Sequence, residues 1–193
     1  MSRPTLSPAV VIADAADLAD EAGLDAVSLS AVARRLGVQT PSLYSHVRDL
    51  AALRDGITAL AFVDIAERIS QDVAGRSGHA ALHGLATAYR LFATESPGRW
   101  QALQRRAGVA VVESGAATAL VALNDAVLRD YALSSEYRVH ATRLIGSTIN
   151  GFLALERVGS FDHSAPLPGA SWTAIIDGLD ILLRAWSHRT ESS

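Results

Sequence analysis

Between Ser28 and Val47 the chain reads SLSAVARRLGVQTPSLYSHV. Its polar side chains are of the kinds that read nucleic acid. Gln39, Thr40, Ser42, Tyr44, Ser45 and His46 carry short or planar hydrogen-bonding groups, suited to base edges and phosphate oxygens. Leu29, Val32, Ala33, Leu36, Val38, Leu43 and Val47 fall at spacings that turn them inward, which leaves the polar set facing out. Arg34, Arg35 and Arg48 add positive charge, and no acid interrupts residues 26–48.

Whole-chain charge points the other way at first. The 193 residues hold 17 bases, all arginine, against 20 acids, for a net charge of −3. Residues 1–25 hold one Arg and five acids, net −4; residues 26–48 carry +3; residues 49–193 hold 13 Arg and 15 acids, net −2. The one positive segment is therefore the one with the polar outward set, the electrostatic footprint expected of a phosphate-contacting motif.

Other chemistries lack their residues. His79 and His83 have the i,i+4 spacing of a shared metal site, but no third ligand lies near them in sequence. They read as flanking a solvent-facing helix start, and no metal or other cofactor is assigned. Absence of cysteine excludes disulfides, zinc-thiolate sites, iron–sulfur clusters and thiol nucleophiles. A glycine-rich phosphate loop, a Gly-x-Ser-x-Gly elbow and a His-Glu-x-x-His pair are all missing, so the chain is not expected to be an enzyme. No run nears 18 apolar residues, and Met1-Ser2-Arg3-Pro4 lacks the layout of a signal peptide. A soluble cytoplasmic protein without membrane contact is the expectation.

The elements that must position these residues read as helices. Alanine (35 positions) and leucine (24) dominate, and apolar spacing is three to four residues with no alternating strand pattern. An all-α fold of about nine helices is predicted. The first runs over Ser7–Ala22, with Val11, Ala15, Leu18 and Ala22 as its stripe, Pro8 in its first turn and Gly23 at its stop. Ser28 caps a second that ends at Gly37. A third covers Thr40–Val47, and Asp49 caps a fourth over Leu50–Val73. Further helices are expected over His79–Thr94, Arg99–Arg106, Glu113–Tyr131, Ser134–Arg157 and Ala170–His188, with a loop at Gly159–Gly169. Two domains follow: residues 6–66, containing the helix-turn-helix at 28–47, and residues 78–189, a larger bundle.

The stretch Ala22–Leu53 resembles the DNA-binding domain of TetR/AcrR transcription regulators, and the likeness extends over residues 7–60. It is carried by the Ala22-Gly23 stop, the Ser28-Leu29 cap, the Val32–Val38 run, Leu43-Tyr44-Ser45-His46-Val47 and Leu53. The resemblance implies that Gln39, Thr40, Ser42 and Ser45 face bases, that Tyr44 and His46 lie on the sugar-phosphate backbone, and that Ser28 and Arg48 add phosphate contacts. A packing role for Tyr44 and a helix-end hydrogen bond for His46 are the structural alternatives. The family places a lysine at the start of the fourth helix, where this chain has Leu50. Arg48 or the helix N-terminus is then left to hold that phosphate.

In this family the C-terminal bundle forms the dimer and holds a ligand. Leu144, Ile145, Thr148 and Phe152, with Ile175, Ile176, Leu179, Leu182, Leu183 and Trp186, are the candidate interface of a homodimer; core packing is the alternative. Tyr89–Leu103 and Asn150–Phe161 resemble a C-terminal subfamily with a Trp…His-Gly motif, whose Trp and His positions hold Gly146 and Asn150 here. Phe62, Tyr89, Phe92, Trp100, Leu103, Asn124, His140, Arg143 and Asn150 are the candidate pocket for a small apolar effector. The predicted function is a ligand-responsive homodimeric repressor of double-stranded, palindromic operator DNA. The alternative is a small-molecule-binding helical protein with a vestigial reading motif.

Overall fold

A computed structural model describes residues 6–190, with side chains through Ser187. The signal-peptide expectation drawn from Met1-Ser2-Arg3-Pro4 lies outside the described residues. Among those described there are nine α-helices, three short 3₁₀ segments and no strand. The helices are α1 (Pro8–Ala22), α2 (Leu29–Leu36), α3 (Leu50–Val73), α4 (Gly78–Glu95), α5 (Pro97–Leu103), α6 (Val109–Val112), α7 (Gly115–Leu128), α8 (Ser135–Arg157) and α9 (Pro168–Thr190). The all-α expectation holds.

Two compact units divide the chain. The first comprises residues through Ala66 together with Phe92–Leu120; the second comprises Glu67–Leu91 with residues from Val121 onward.

In the first unit, local signals set the helix ends. Ser7 Oγ accepts from Val10 N–H at 3.3 Å, and Gly23, at φ +88°, donates back to the Ala19 carbonyl at 2.8 Å. Gly37, at φ +63°, closes α2 in the left-handed region that a side chain disfavours. The buried face of α1 is Val11, Ala15, Ala16 and Ala19; Leu18 is half-buried and Ala22 exposed, which moves the predicted stripe round the helix. The reason is tertiary, because α5 lies against α1. A Cβ placed on Gly98 would sit 2.2 Å from the Ala19 carbonyl oxygen, so only glycine allows this approach. Arg99, next in sequence, binds Asp17 at 2.6 Å, Asp20 at 3.1 Å and Asp64 at 3.0 Å, and its backbone N–H donates to Asp20 at 2.8 Å.

The predicted helix over Thr40–Val47 is shorter and tighter than expected. It forms a 3₁₀ segment over Thr40–Ser45, with Ser42 N–H bonded to the Gln39 carbonyl and His46 N–H to that of Leu43, each at 2.9 Å. Pro41 lies in the first turn, where its missing N–H is tolerated, and Ser45 Oγ donates to the Ser42 carbonyl at 2.8 Å, which competes with an α-helical ladder.

In the second unit, α4 approaches the end of α3 so closely that a Cβ on Gly84 would lie 2.5 Å from the Asp72 carbonyl oxygen. Tyr131 is buried and donates its hydroxyl to Asp180 at 2.7 Å; Arg184 Nε donates to the same carboxylate at 2.9 Å. Burial and the Asp180 carboxylate push the Tyr131 hydroxyl well above the ordinary tyrosine range. Arg90 pairs with Glu156 at 2.5 Å and covers the Trp172 ring at 5.2 Å. The single predicted helix over Glu113–Tyr131 resolves into α7 and a 3₁₀ turn at Arg129–Tyr131, with the short α6 before it. Ser114 Oγ starts α7 afresh by accepting from Ala117 N–H at 3.2 Å.

Candidate nucleic-acid interface

The motif is held by one apolar cluster. Val11, Ala15, Ala16, Ala19, Leu24, Val27, Val32, Ala33, Leu43, Val47, Leu53, Ile57 and Ala102 are buried together, with Leu29, Leu36, Val38 and Leu50 half-buried against them. Leu43 and Val47 root the reading segment in this cluster, so its other face is presented outward. Gln39, Ser42, Tyr44 and Ser45 are exposed, Tyr44 at 56%, and Thr40 and His46 are half-buried. A packing role for the Tyr44 ring would have buried it.

Ser28 is the N-cap of α2: its Oγ accepts from Ala31 N–H at 3.2 Å and shares a hydrogen bond of 3.2 Å with Ser30 Oγ. Asp49 caps α3 through Ala52 N–H at 2.7 Å. That bond, with the Arg48 guanidinium at 2.8 Å, holds the Asp49 carboxyl below the usual carboxylate range. Arg48 itself is 83% exposed. Arg35 is turned away from the reading face to Glu21 and Asp14 of α1, and those carboxylates raise its pKa. Arg34 is exposed and pairs with no acid among the described residues. It is a phosphate-contact candidate that the residue-by-residue reading passed over, although the charge pattern had included it. Leu50 lies against the apolar cluster, which explains how the position tolerates the loss of the family's lysine.

The remaining candidates fall as follows. In the first unit Phe92 and Trp100 are buried and Phe62 and Leu103 half-buried. In the second, Tyr89, Asn124 and Asn150 are half-buried, and burial pushes the Tyr89 hydroxyl up to about 12. His140 and Arg143 are exposed. Arg143 lines an open groove of about 430 Å³ with Val121, Asp125, Ser135, Arg138, Val139 and Thr142. Of the interface candidates, Ile145, Phe152, Ile176, Leu179 and Leu183 are buried within the protomer; Leu144, Thr148, Ile175 and Trp186 are half-buried and Leu182 is exposed. His79 and His83 acquire a companion that sequence spacing could not reveal. Asp177 of α9 places Oδ1 2.9 Å from one Nε2 and 2.8 Å from the other. The two imidazoles hold its carboxyl below the usual range.

A helix-turn-helix rooted in its own apolar cluster, with an exposed polar reading segment on an all-helical chain, defines a DNA-binding transcription regulator. Residues 11–55 match the model for bacterial regulatory proteins of the tetR family, and residues 82–179 match the tetracyclin repressor-like C-terminal domain. The chain belongs to the tetR family. Regulators of this family act by binding DNA and are not enzymes.

An uncharacterized HTH-type transcriptional regulator of Mycobacterium tuberculosis is 33% identical over 169 residues, covering 84% of this chain and 76% of that protein. The uncharacterized HTH-type regulator YobS of Bacillus subtilis is 28% identical over 161 residues, covering 83% of this chain and 84% of that one. A TetR variant of Acinetobacter baumannii AYE, solved in complex with minocycline, shares the fold with a TM-score of 0.67 at 24% identity, covering 98% of this chain and all of that one. Among the described residues no helix is long and apolar enough to cross a membrane.

Proposed function

We propose that this regulator is a homodimeric, ligand-responsive repressor that reads a palindromic operator. The observation that carries the reading is the outward face of Gln39, Ser42, Tyr44 and Ser45 on a segment anchored by Leu43. Residues 6–66 serve as the DNA-binding domain, with Gln39, Thr40, Ser42 and Ser45 toward bases. Tyr44, His46, Ser28 and Arg48 lie toward the backbone, joined by Arg34.

The dimer is assigned to residues 78–189, on the faces of α8 and α9 that remain open. Ser147, Gly151 and Leu155 on α8 with Val158 just past its end, and Ala174, Gly178, Ile181 and Ala185 on α9, recur at three- to four-residue spacing and are exposed. Space is open where a Cβ on Gly151 or Gly178 would stand, so a second copy could approach closely. Four helices meeting this way make a two-fold interface. Such a dimer would present two reading segments to half-sites roughly 34 Å apart.

The effector is a small, largely apolar molecule received by the C-terminal domain, as minocycline is bound by the Acinetobacter protein. Tyr89, Asn124, Asn150 and Arg143 are its candidate contacts in the second unit. Through differential affinity it favours a state in which α3 holds the reading segments at the wrong separation.

Selection from a random DNA pool tests the reading. A palindrome with half-sites one helical turn apart is expected, bound steeply less well as salt rises. A helical ligand-binding protein with a vestigial motif would enrich no sequence at any salt concentration.

A further inference from the structure

His79 and His83 stand one turn apart at the start of α4, and Asp177 comes from α9, 94 residues beyond His83. Three side chains of metal-binding type therefore meet from two helices. Both imidazoles aim Nε2 at one carboxylate oxygen, at 2.9 and 2.8 Å, and the three donor atoms lie within 4.8 Å of one another. The rings are tilted by 51°, with centroids 4.4 Å apart, so it is their edges that converge on the carboxylate. Among the described residues no arginine pairs with Asp177; the neighbouring Arg184 is engaged by Asp180.

We propose that His79, His83 and Asp177 form a binding site for a divalent first-row transition cation of the zinc type, which clamps α4 to α9. The donor set selects the ion class. Two imidazole nitrogens and one carboxylate oxygen suit zinc and its neighbours, whereas magnesium and calcium take oxygen ligands. Tetrahedral coordination at about 2.1 Å spreads ligand atoms about 3.4 Å apart. The carboxylate oxygen therefore has to retreat by about half an ångström to admit the ion. Asp177, with its side chain 48% exposed, has room to do so. Three protein ligands leave a fourth position for water. The site stands on its own residues and is independent of the proposed dimer and effector.

The test is Zn²⁺ binding to the full chain, stripped with a chelator and desalted, by competition with a chromophoric chelator. One Zn²⁺ per chain is expected, together with a zinc-dependent rise in the thermal midpoint. His79→Gln, His83→Gln and Asp177→Asn should each weaken binding by about tenfold or more, since loss even of an outer-shell partner costs about that much. His163→Gln, in an exposed loop, serves as the control and should bind as wild type does. Helical circular dichroism should be unchanged in all four. The proposal is overturned if wild type binds Zn²⁺ no more tightly than the His79→Gln/His83→Gln double variant. It is overturned equally if Asp177→Asn binds as tightly as wild type, which would reduce the site to an adventitious histidine pair.

Discussion

Arg35 and Glu21 form a two-point ion pair, with Nη1 2.5 Å from Oε2 and Nη2 3.1 Å from Oε1. Asp14 stands 3.4 Å from Nε of the same guanidinium. The pair ties α2 to α1 and turns Arg35 away from the reading segment, whereas Arg48, which meets Asp49 at 2.8 Å, stays 83% exposed beside it.

The salt dependence of operator binding should register this. Each neutralised phosphate contributes close to one to the slope of log affinity against log salt. Arg34→Ala and Arg48→Ala should each reduce the slope by about one, while Arg35→Ala should leave it nearly unchanged. Fluorescence anisotropy across a salt series measures all three. An Arg35→Ala slope that falls as far as that of Arg34→Ala would place Arg35 on phosphate after all.

Leu50 offers the converse experiment. Leu50→Lys restores the family's phosphate anchor at the start of α3. Affinity for the operator should rise several-fold and the slope steepen by about one. Leu50 is half-buried against the apolar cluster, so the same change should lower unfolding stability by about 1 kcal/mol. Urea denaturation reads the cost and anisotropy the gain.

Tyr44 separates reading from folding. Its ring is 56% exposed, so Tyr44→Ala should leave the thermal midpoint nearly unchanged. Operator affinity should fall about tenfold, the loss of one good contact. Tyr44→Phe shows whether ring or hydroxyl carries the effect. Equal binding by wild type and Tyr44→Ala would remove this residue from the interface.

Gly98 is the site where a single methyl group should be most damaging. Its Cβ would fall 2.1 Å from the Ala19 carbonyl carbon and 2.2 Å from the oxygen, and backbone cannot step aside as a flexible side chain can. Gly98→Ala should destabilise by about 3 kcal/mol, the upper range for overpacking. Chemical denaturation gives the value. A change below measurement error would mean that α5 can leave α1 freely.

Two neighbours in α9 face opposite surroundings. Leu179 is 6% exposed and packs within the protomer, whereas a side chain at Gly178 would enter open space. Gly178→Arg should give folded monomers in sedimentation. Leu179→Arg should instead lose helicity, because it buries an unpaired charge. A Gly178→Arg protein that sediments as wild type would move the interface elsewhere.

The helix-turn-helix was legible in the residues because its signals are local. Ser7, Ser28 and Asp49 cap backbone groups three residues away, and Gly23 and Gly37 adopt left-handed or open conformations at helix ends. Alternation of apolar and polar positions then set which face of the reading segment turns outward. The segment is shorter than its spacing predicts, since the Ser45 hydroxyl bonds back to the Ser42 carbonyl in competition with an α-helical ladder, which spacing does not display.

Packing settled what spacing could not. The three arginines of the positive segment look alike in sequence, yet Glu21, fourteen residues from Arg35, removes one of them from the reading face. Five of the apolar residues offered to a partner are buried in the protomer's own interior, and only the helix-helix contacts could reveal which. His79 and His83 lacked a third ligand until α9 brought Asp177 to them across 94 residues of chain. Caps and turns depend on neighbours a few bonds away, so residue type is enough to read them. Ion pairs, buried faces and convergent donor sets depend on which helices lie together, and that is a property of the whole packing.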